Sequence, residues 1–237
     1  MSTLYLIPVP IGKRKENLTL PEHTLETIRS LNCFIVENNR HALSLFQWVG
    51  HPIPPYEMEL RILNKKTPEH EIFSYLELLK TRDTGLFSEA GAPGVADPGS
   101  TLVKIAHDNG IRVTPLVGPS SILLALMASG MNGQSFTFHG YLPVQERDRA
   151  GAIRNLEQES RQLNRTQIFM ETPHRNEPML QSLLKTCNPD TRLAIACNLT
   201  MPDELILSMP VHKWRKSKKP DIQGKPALFL INSGRPS

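Results

Sequence analysis

The chain has 237 residues, 39% hydrophobic and 21% charged, enough for one large or two modest domains that bury their own cores without disulfide or metal staples. No apolar run approaches the roughly 18 residues a membrane span needs, and MSTLYLIPVPIG, without a basic leader and broken by Pro8 and Pro10, reads as a first strand and not as a signal peptide. The net charge of +4 permits an anionic partner without demanding one, and Cys33, Cys187 and Cys197, scattered in or beside apolar segments, suit buried reduced thiols and a cytoplasmic location.

Leu4 to Ile7 is a short apolar run stopped by Pro8-Val9-Pro10-Ile11-Gly12, and a strand ending in such a loop at the start of an α/β chain borders a ligand crevice. The loop is not GxGxxG, and Lys13-Arg14-Lys15 after it predicts either a cationic mouth or three solvated charges on a turn. Pro21 suits a first helical position, with Leu25, Ile28 and Leu31 on one face, and Cys33 to Val36 is a second strand. Glu37-Asn38-Asn39-Arg40 at its end are candidate substrate contacts by position, although Asn38 or Asn39 would equally cap the next helix, whose inward face is Ala42, Leu45, Phe46 and Val49. After the proline-rich turn His51 to Pro55, Thr67-Pro68 opens a helix expected to bury Ile72, Phe73, Leu76 and Leu79.

The stretch Gly85 to Ser121 carries the densest signal. It reads as strand (Leu86-Phe87), glycine-proline loop, helix (Thr101 to His107, with Asp97-Pro98 as its cap), strand (Ile111 to Leu116), and a second glycine-proline loop, Val117-Gly118-Pro119-Ser120-Ser121, opening another helix. Two such loops around one strand should meet at one sheet edge, with a helix N-terminus available to an anion and Glu89 to a cationic or hydroxylated ligand. A tight surface loop would explain the glycines but not their recurrence. The boundary falls here, giving an N-terminal α/β domain over 1–117 and a C-terminal α/β domain with a mixed sheet over 118–237.

Phe136 to Phe138 restarts the chain as a strand running into His139-Gly140-Tyr141, and a polar helix follows from about Glu146 to Leu163. Gln167 to Met170 is a strand that ends in Glu171-Thr172-Pro173-His174-Arg175, ahead of a helix carrying Met179, Leu180, Leu183 and Leu184. Leu193 to Cys197, Glu204 to Ser208 and Ala227 to Asn232 are three more strands, the last expected at a sheet edge or antiparallel. Between the last two, His212 to Lys219 places five cations around Trp214, which fits a solvated helix end as well as a nucleic-acid patch.

Walker A, GxSxG, HExxH and CxxC are absent, so phosphoryl transfer, serine hydrolysis and zinc chemistry lack their usual parts. His139 and His174 have no identifiable Ser or Cys partner and read more readily as hydrogen-bonded structural residues than as general bases. Loops that cradle a small molecule by backbone, with charge around the crevice for a larger substrate, fit a group transferase with a diffusible donor, since positioning supplies much of such catalysis.

LYLIPVPIG, ENNRHALSLF, SEAGAPGVADPG, VGPSS, FTFHGYLP and ETPHR, in this order over most of the chain, closely resemble the tetrapyrrole methylase family, and within it the branch that methylates small-subunit ribosomal RNA. The resemblance implies two α/β domains with S-adenosylmethionine in the cleft between them, a homodimer, and RNA as acceptor. Carried over by position, donor contacts fall on Pro10, Ser88, Glu89, Ala90, Asp97, Ser120 and Ser121, and in the second half near Met170, Asn198 and Ala227. Glu37, Arg40, His174 and Arg175 would face the acceptor, and no general base is named. The branch reads EDTR where this chain has Glu37-Asn38-Asn39-Arg40, and ELTK where it has Asn198-Leu199-Thr200-Met201. The branch also has a tighter first loop than this chain, with its extra Lys13 to Glu16, and continues further past the last strand. These departures leave a tetrapyrrole or other small acceptor, or a donor-binding protein without turnover, as alternatives to RNA methylation.

Overall fold

The computed structural model describes residues 2–12 and 19–234, so Lys13 to Glu16 lie outside the described residues. The chain divides into two compact units, Met1–Ser120 and Ser121–Ser237.

The first unit is built on β1 (Thr3–Leu6), β2 (Cys33–Val36), β3 (Glu59–Ile62), β4 (Thr84–Phe87) and β5 (Arg112–Pro115). All pair in parallel in the order β3-β2-β4-β1-β5. The chain winds outward from β1 to β3, returns to insert β4 between β2 and β1, and finishes on the far side of β1. Right-handed crossovers in opposite directions put helices on opposite faces. Accordingly α1 (Glu22–Ser30) and α2 (Asn39–Val49) pack Ile28, Leu45 and Phe46 against Phe34 and Val36, while α3 (Glu69–Thr81) and α4 (Ser100–Asp108) pack Leu79, Leu102 and Ile105 against Ile35 and Leu86. The alternation of Phe34, Ile35 and Val36 between two clusters is the period of two expected of a sheet buried on both faces. The reversal at β4 opens a crevice at the strands' C-terminal ends.

Three expectations fail locally. β3 was not foreseen, because ELRI mixes charge with apolar residues on an edge strand, where Arg61 pairs with Glu59 at 2.5 Å. On α3, Phe73 is exposed and Tyr75 is buried in its place, its hydroxyl donating to the Ile62 carbonyl at 2.6 Å. Asp97 does not cap α4. That helix starts at Ser100 behind Gly99, whose φ of 140° is open to glycine alone, so backbone geometry and not a side-chain cap sets the start.

The second unit holds β6 (Phe136–Tyr141), β7 (Thr166–Glu171), β8 (Arg192–Cys197), β9 (Leu205–Pro210) and β10 (Ala227–Asn232), ordered β6-β7-β10-β8-β9. Only β6 and β7 run parallel. β10 is antiparallel but central, not at an edge: ALFLI is buried residue after residue, the pattern of a strand covered on both faces. α6 (Glu146–Leu163), α7 (Asn176–Thr186) and α8 (Val211–Lys216) cover one face, and α5 (Ser121–Ser129) lies on the other.

Candidate functional site

Three strand-end loops of the first unit are tied to one another by backbone. Val9 N–H donates to the Gly91 carbonyl at 2.9 Å and Gly91 N–H returns the bond at 3.1 Å, joining the loop after β1 to the loop after β4. The loop after β5 closes on the first: Leu116 N–H bonds the Leu6 carbonyl at 2.9 Å, and a methyl at Gly118 would lie 2.5 Å from Pro8 Cβ, so only a glycine permits the approach. Thr24 Oγ1 fixes the same loop from α1 by donating to the Val117 carbonyl at 2.8 Å.

A cavity of about 460 Å³ opens beside this junction. Pro10, Ser88, Glu89 and Ala90, donor contacts by the family resemblance, line it, together with His41, Ser44, Leu45 and Trp48 of α2, of which the helical spacing marks only Leu45, as an inward-facing residue. The signal for His41 lay in the spacing: positions 41, 44, 45 and 48 form one helical stripe.

Three carboxylates gather at this edge. Glu37 Oε2 accepts the Glu89 N–H at 3.2 Å, while the Glu89 carboxylate stands 3.5 Å from His41 Nδ1. Burial pushes Glu37 above the ordinary carboxylate range, offset by the Glu89 N–H and reinforced by the Asp97 and Glu89 charges. Burial also raises Asp97, with Ser88 and Lys65 pulling it back and Glu89 adding to the rise. Ser88 is 4% exposed; its hydroxyl lies close enough to act on Asp97, yet it makes no hydrogen bond of ordinary geometry. Such an orphan costs about 1–3 kcal/mol until a ligand satisfies it.

Of the remaining first-unit residues, Asn38 accepts the Arg40 N–H at 2.8 Å as the N-cap of α2, which is the capping role considered from sequence. Arg40 itself is exposed in the first turn. Ser120 and Ser121 are half-buried, the first closing the β5 loop and the second opening α5.

In the second unit, Met170, Asn198 and Ala227 converge on one end of the sheet. Ala227 stands in register with Glu171 on β7 and Cys197 on β8, Leu228 with Met170, and Asn198 N–H bonds the Pro226 carbonyl at 3.0 Å. Asn198 and Thr200 both adopt left-handed backbone, with φ of 49° and 70°, and the Asn198 amide donates to Asp203 at 2.8 Å. Arg175 is held by Glu171, its Nε donating to Oε1 at 2.9 Å, whereas His174 is exposed. His139 is engaged with Gln167 at 2.6 Å.

The basic run resolves as a helix end and not as an aromatic-bearing nucleic-acid patch. Trp214 is fully buried with its indole N–H on the Leu193 carbonyl at 2.8 Å, and Arg215 donates to the Leu184 and Cys187 carbonyls at 2.9 and 2.8 Å, closing the end of α7.

A doubly wound parallel unit whose strand-end loops are tied beside one cavity, followed by a mixed-sheet unit, defines a two-unit α/β protein. Residues 3–213 match the family described as Tetrapyrrole (Corrin/Porphyrin) Methylases. The chain is 31% identical to Ribosomal RNA small subunit methyltransferase I of Vibrio cholerae, covering 88% of this chain and 68% of that one. It is 30% identical to the protein of the same name from Pseudomonas aeruginosa, covering 96% and 78%. The solved structure of diphthine synthase has the same fold, with a TM-score of 0.65 at 13% identity over 98% of this chain and 90% of that one. The chain belongs to the tetrapyrrole methylase family and is a methyltransferase.

Proposed function

We propose that the chain transfers a methyl group from S-adenosylmethionine to a hydroxyl of RNA. The observation that carries the donor site is the junction of three loops, where Glu37, Glu89 and Asp97 lie beside the orphaned Ser88 hydroxyl. A cationic ligand with ribose hydroxyls and a carboxylate fits this donor set: carboxylates for the charge and hydroxyls, backbone for the rest. Pro10, Ser88, Glu89, Ala90, Asp97 and Ser120 would hold it in the first unit, and Ser121, Met170, Asn198 and Ala227 are proposed donor contacts on the ground of the family resemblance alone. The donor supplies an electrophilic methyl carbon; the residues of the chain align it, exclude water and manage the acceptor's proton.

The acceptor assignment draws on the names of the relatives and on the wall formed by α2. Trp48 gives that wall an aromatic surface suited to an unpaired base, the form in which proteins read RNA. Glu37, which accepts the Glu89 N–H, and Arg40, exposed in the first turn of α2, are proposed acceptor contacts, as are His174 and Arg175 on the ground of the family resemblance alone. We further infer a homodimer and a cytoplasmic location. The three cysteines are free and buried, with Cys187 pushed up to about 12 chiefly by burial, which suits a reducing compartment. Among the described residues no helix is long and apolar enough to cross a membrane.

Titration calorimetry with the donor and its demethylated product, followed by transfer of labelled methyl to small-subunit ribosomal RNA, tests the reading. Binding of both and a labelled ribose is the expected outcome. Binding without label in RNA, but with label in a porphyrinoid, would move the acceptor to a small molecule.

A further inference from the structure

We propose that His41 is the general base of the reaction and that Glu89 orients its ring; the proposal rests on the acceptor being a hydroxyl. A hydroxyl is a poor nucleophile until its proton has somewhere to go, and a positioned imidazole is the commonest acceptor near neutral pH. His41 lies in the first turn of α2, whose start is fixed by the Asn38 cap, and lines the cavity shared with Ser88 and Glu89. Its Nδ1 is buried, has no hydrogen-bond partner of ordinary geometry, and faces Glu89 Oε1 at 3.5 Å. The side chain is nevertheless 36% exposed, so the accessible edge of the ring is the one that carries Nε2.

This arrangement specifies a tautomer. A proton on Nδ1, directed at the carboxylate, leaves the lone pair on Nε2 at the open side of the cavity. Glu89 is in turn held by its own N–H on the Glu37 carboxylate at 3.2 Å. Other histidines are placed differently. His139 is engaged with Gln167, both ring nitrogens of His51 are within hydrogen-bond distance of backbone at Ile28, Leu31 and Ile53, and His174, exposed past the end of β7, is not among the residues that line this cavity.

In the step itself the acceptor oxygen forms the bond to the methyl carbon as the bond from that carbon to the donor's sulfonium sulfur breaks. The electron pair stays on sulfur to give a neutral thioether, and the hydroxyl proton passes to His41 Nε2. The resulting imidazolium is stabilised by Glu89 and returns its proton to solvent, so one proton is released per methyl transferred.

The test uses the full chain, labelled donor and its RNA. His41→Ala and His41→Gln should lose about 10²- to 10⁴-fold in kcat while calorimetric donor affinity stays within about threefold and the melting temperature is unchanged. Added imidazole should restore part of the turnover to His41→Ala and none to the wild type. Turnover by His41→Ala within about threefold of an active wild type overturns the base alone. A large loss in both variants without imidazole rescue, or with loss of donor binding, makes His41 a positioning residue and also overturns it. A wild type that methylates no RNA hydroxyl overturns the acceptor reading and the base with it.

Discussion

Ser88 shows how a single residue separates binding from stability. Its buried hydroxyl makes no hydrogen bond of ordinary geometry, although it lies close enough to Asp97 to pull that carboxyl down, so Ser88→Ala removes a poorly satisfied group from the fold and a donor from the proposed ligand. The two effects have opposite signs: melting temperature should hold or rise slightly while affinity for the methyl donor falls about five- to tenfold, the loss of one hydrogen bond. Scanning calorimetry and titration calorimetry on the same preparation read both. Glu37 and Asp97 yield a second prediction. Both carboxyls titrate above their ordinary range, chiefly because of burial. Over that interval the folded state therefore holds more protons than the unfolded state, and stability falls as pH rises through it. A sulfonium cation favours the ionised forms, so its binding should tighten over the same rise. Thermal melts across mildly acidic pH should show the decline without donor, a smaller decline with Glu37→Gln or Asp97→Asn, and a weaker pH effect on binding of the demethylated product, which lacks the sulfonium charge.

At the scale of elements, legibility followed the strength of the local pattern. α6 was readable from Glu146 to Leu163 because its polar face and apolar spacing agree over many turns, and the inward stripe of α2 was readable for the same reason. β3 has no apolar signature, being a short edge strand with paired charges, and for β10, expected at an edge or antiparallel, the antiparallel alternative holds while its central place was not legible, because chain order says little about where an antiparallel strand inserts. The loops of the candidate site were legible as glycine-proline punctuation, but His41 was not, since its meaning depends on a carboxylate 48 positions away in sequence. The basic run was ambiguous for a related reason: burial of Trp214 is a tertiary fact. Trp214→Ala should cost about 3–5 kcal/mol in urea unfolding, as for other core tryptophans, whereas Lys213→Ala and Lys216→Ala should change stability by less than about 0.5 kcal/mol. In the β5 loop, Gly118→Ala forces a methyl against Pro8 and should cost about 1–3 kcal/mol. Its urea midpoint should fall, and donor affinity should weaken with the displaced loop.

For the molecule as a whole, the two units use their sheets differently. The first covers both faces with two helices each, which closes it. The second covers one face with three helices and the other with α5 alone, nine residues over five strands. α5 is apolar all round, SILLALMAS, and while Ala125 and Leu126 pack inward, Leu123 and Met127 stay exposed, Met127 at 79%. A helix of that composition is stable in water when its outer face is also covered. Phe136 on the edge strand β6 is exposed, and Phe138 and Ile206 of the same sheet are only partly buried. A second copy presenting the same apolar patch is self-complementary about a two-fold axis and would cover these residues without charged contacts. This is the physical content of the proposed homodimer, and it also explains why a chain with a +4 net charge carries a helix that reads as a core segment. Sedimentation at micromolar concentration should show a dimer for the wild type and a monomer for Met127→Glu, because a carboxylate at the centre of an apolar interface cannot be desolvated without a partner. A wild type that sediments as a monomer, or a Met127→Glu chain that still dimerises, places the cover of α5 elsewhere.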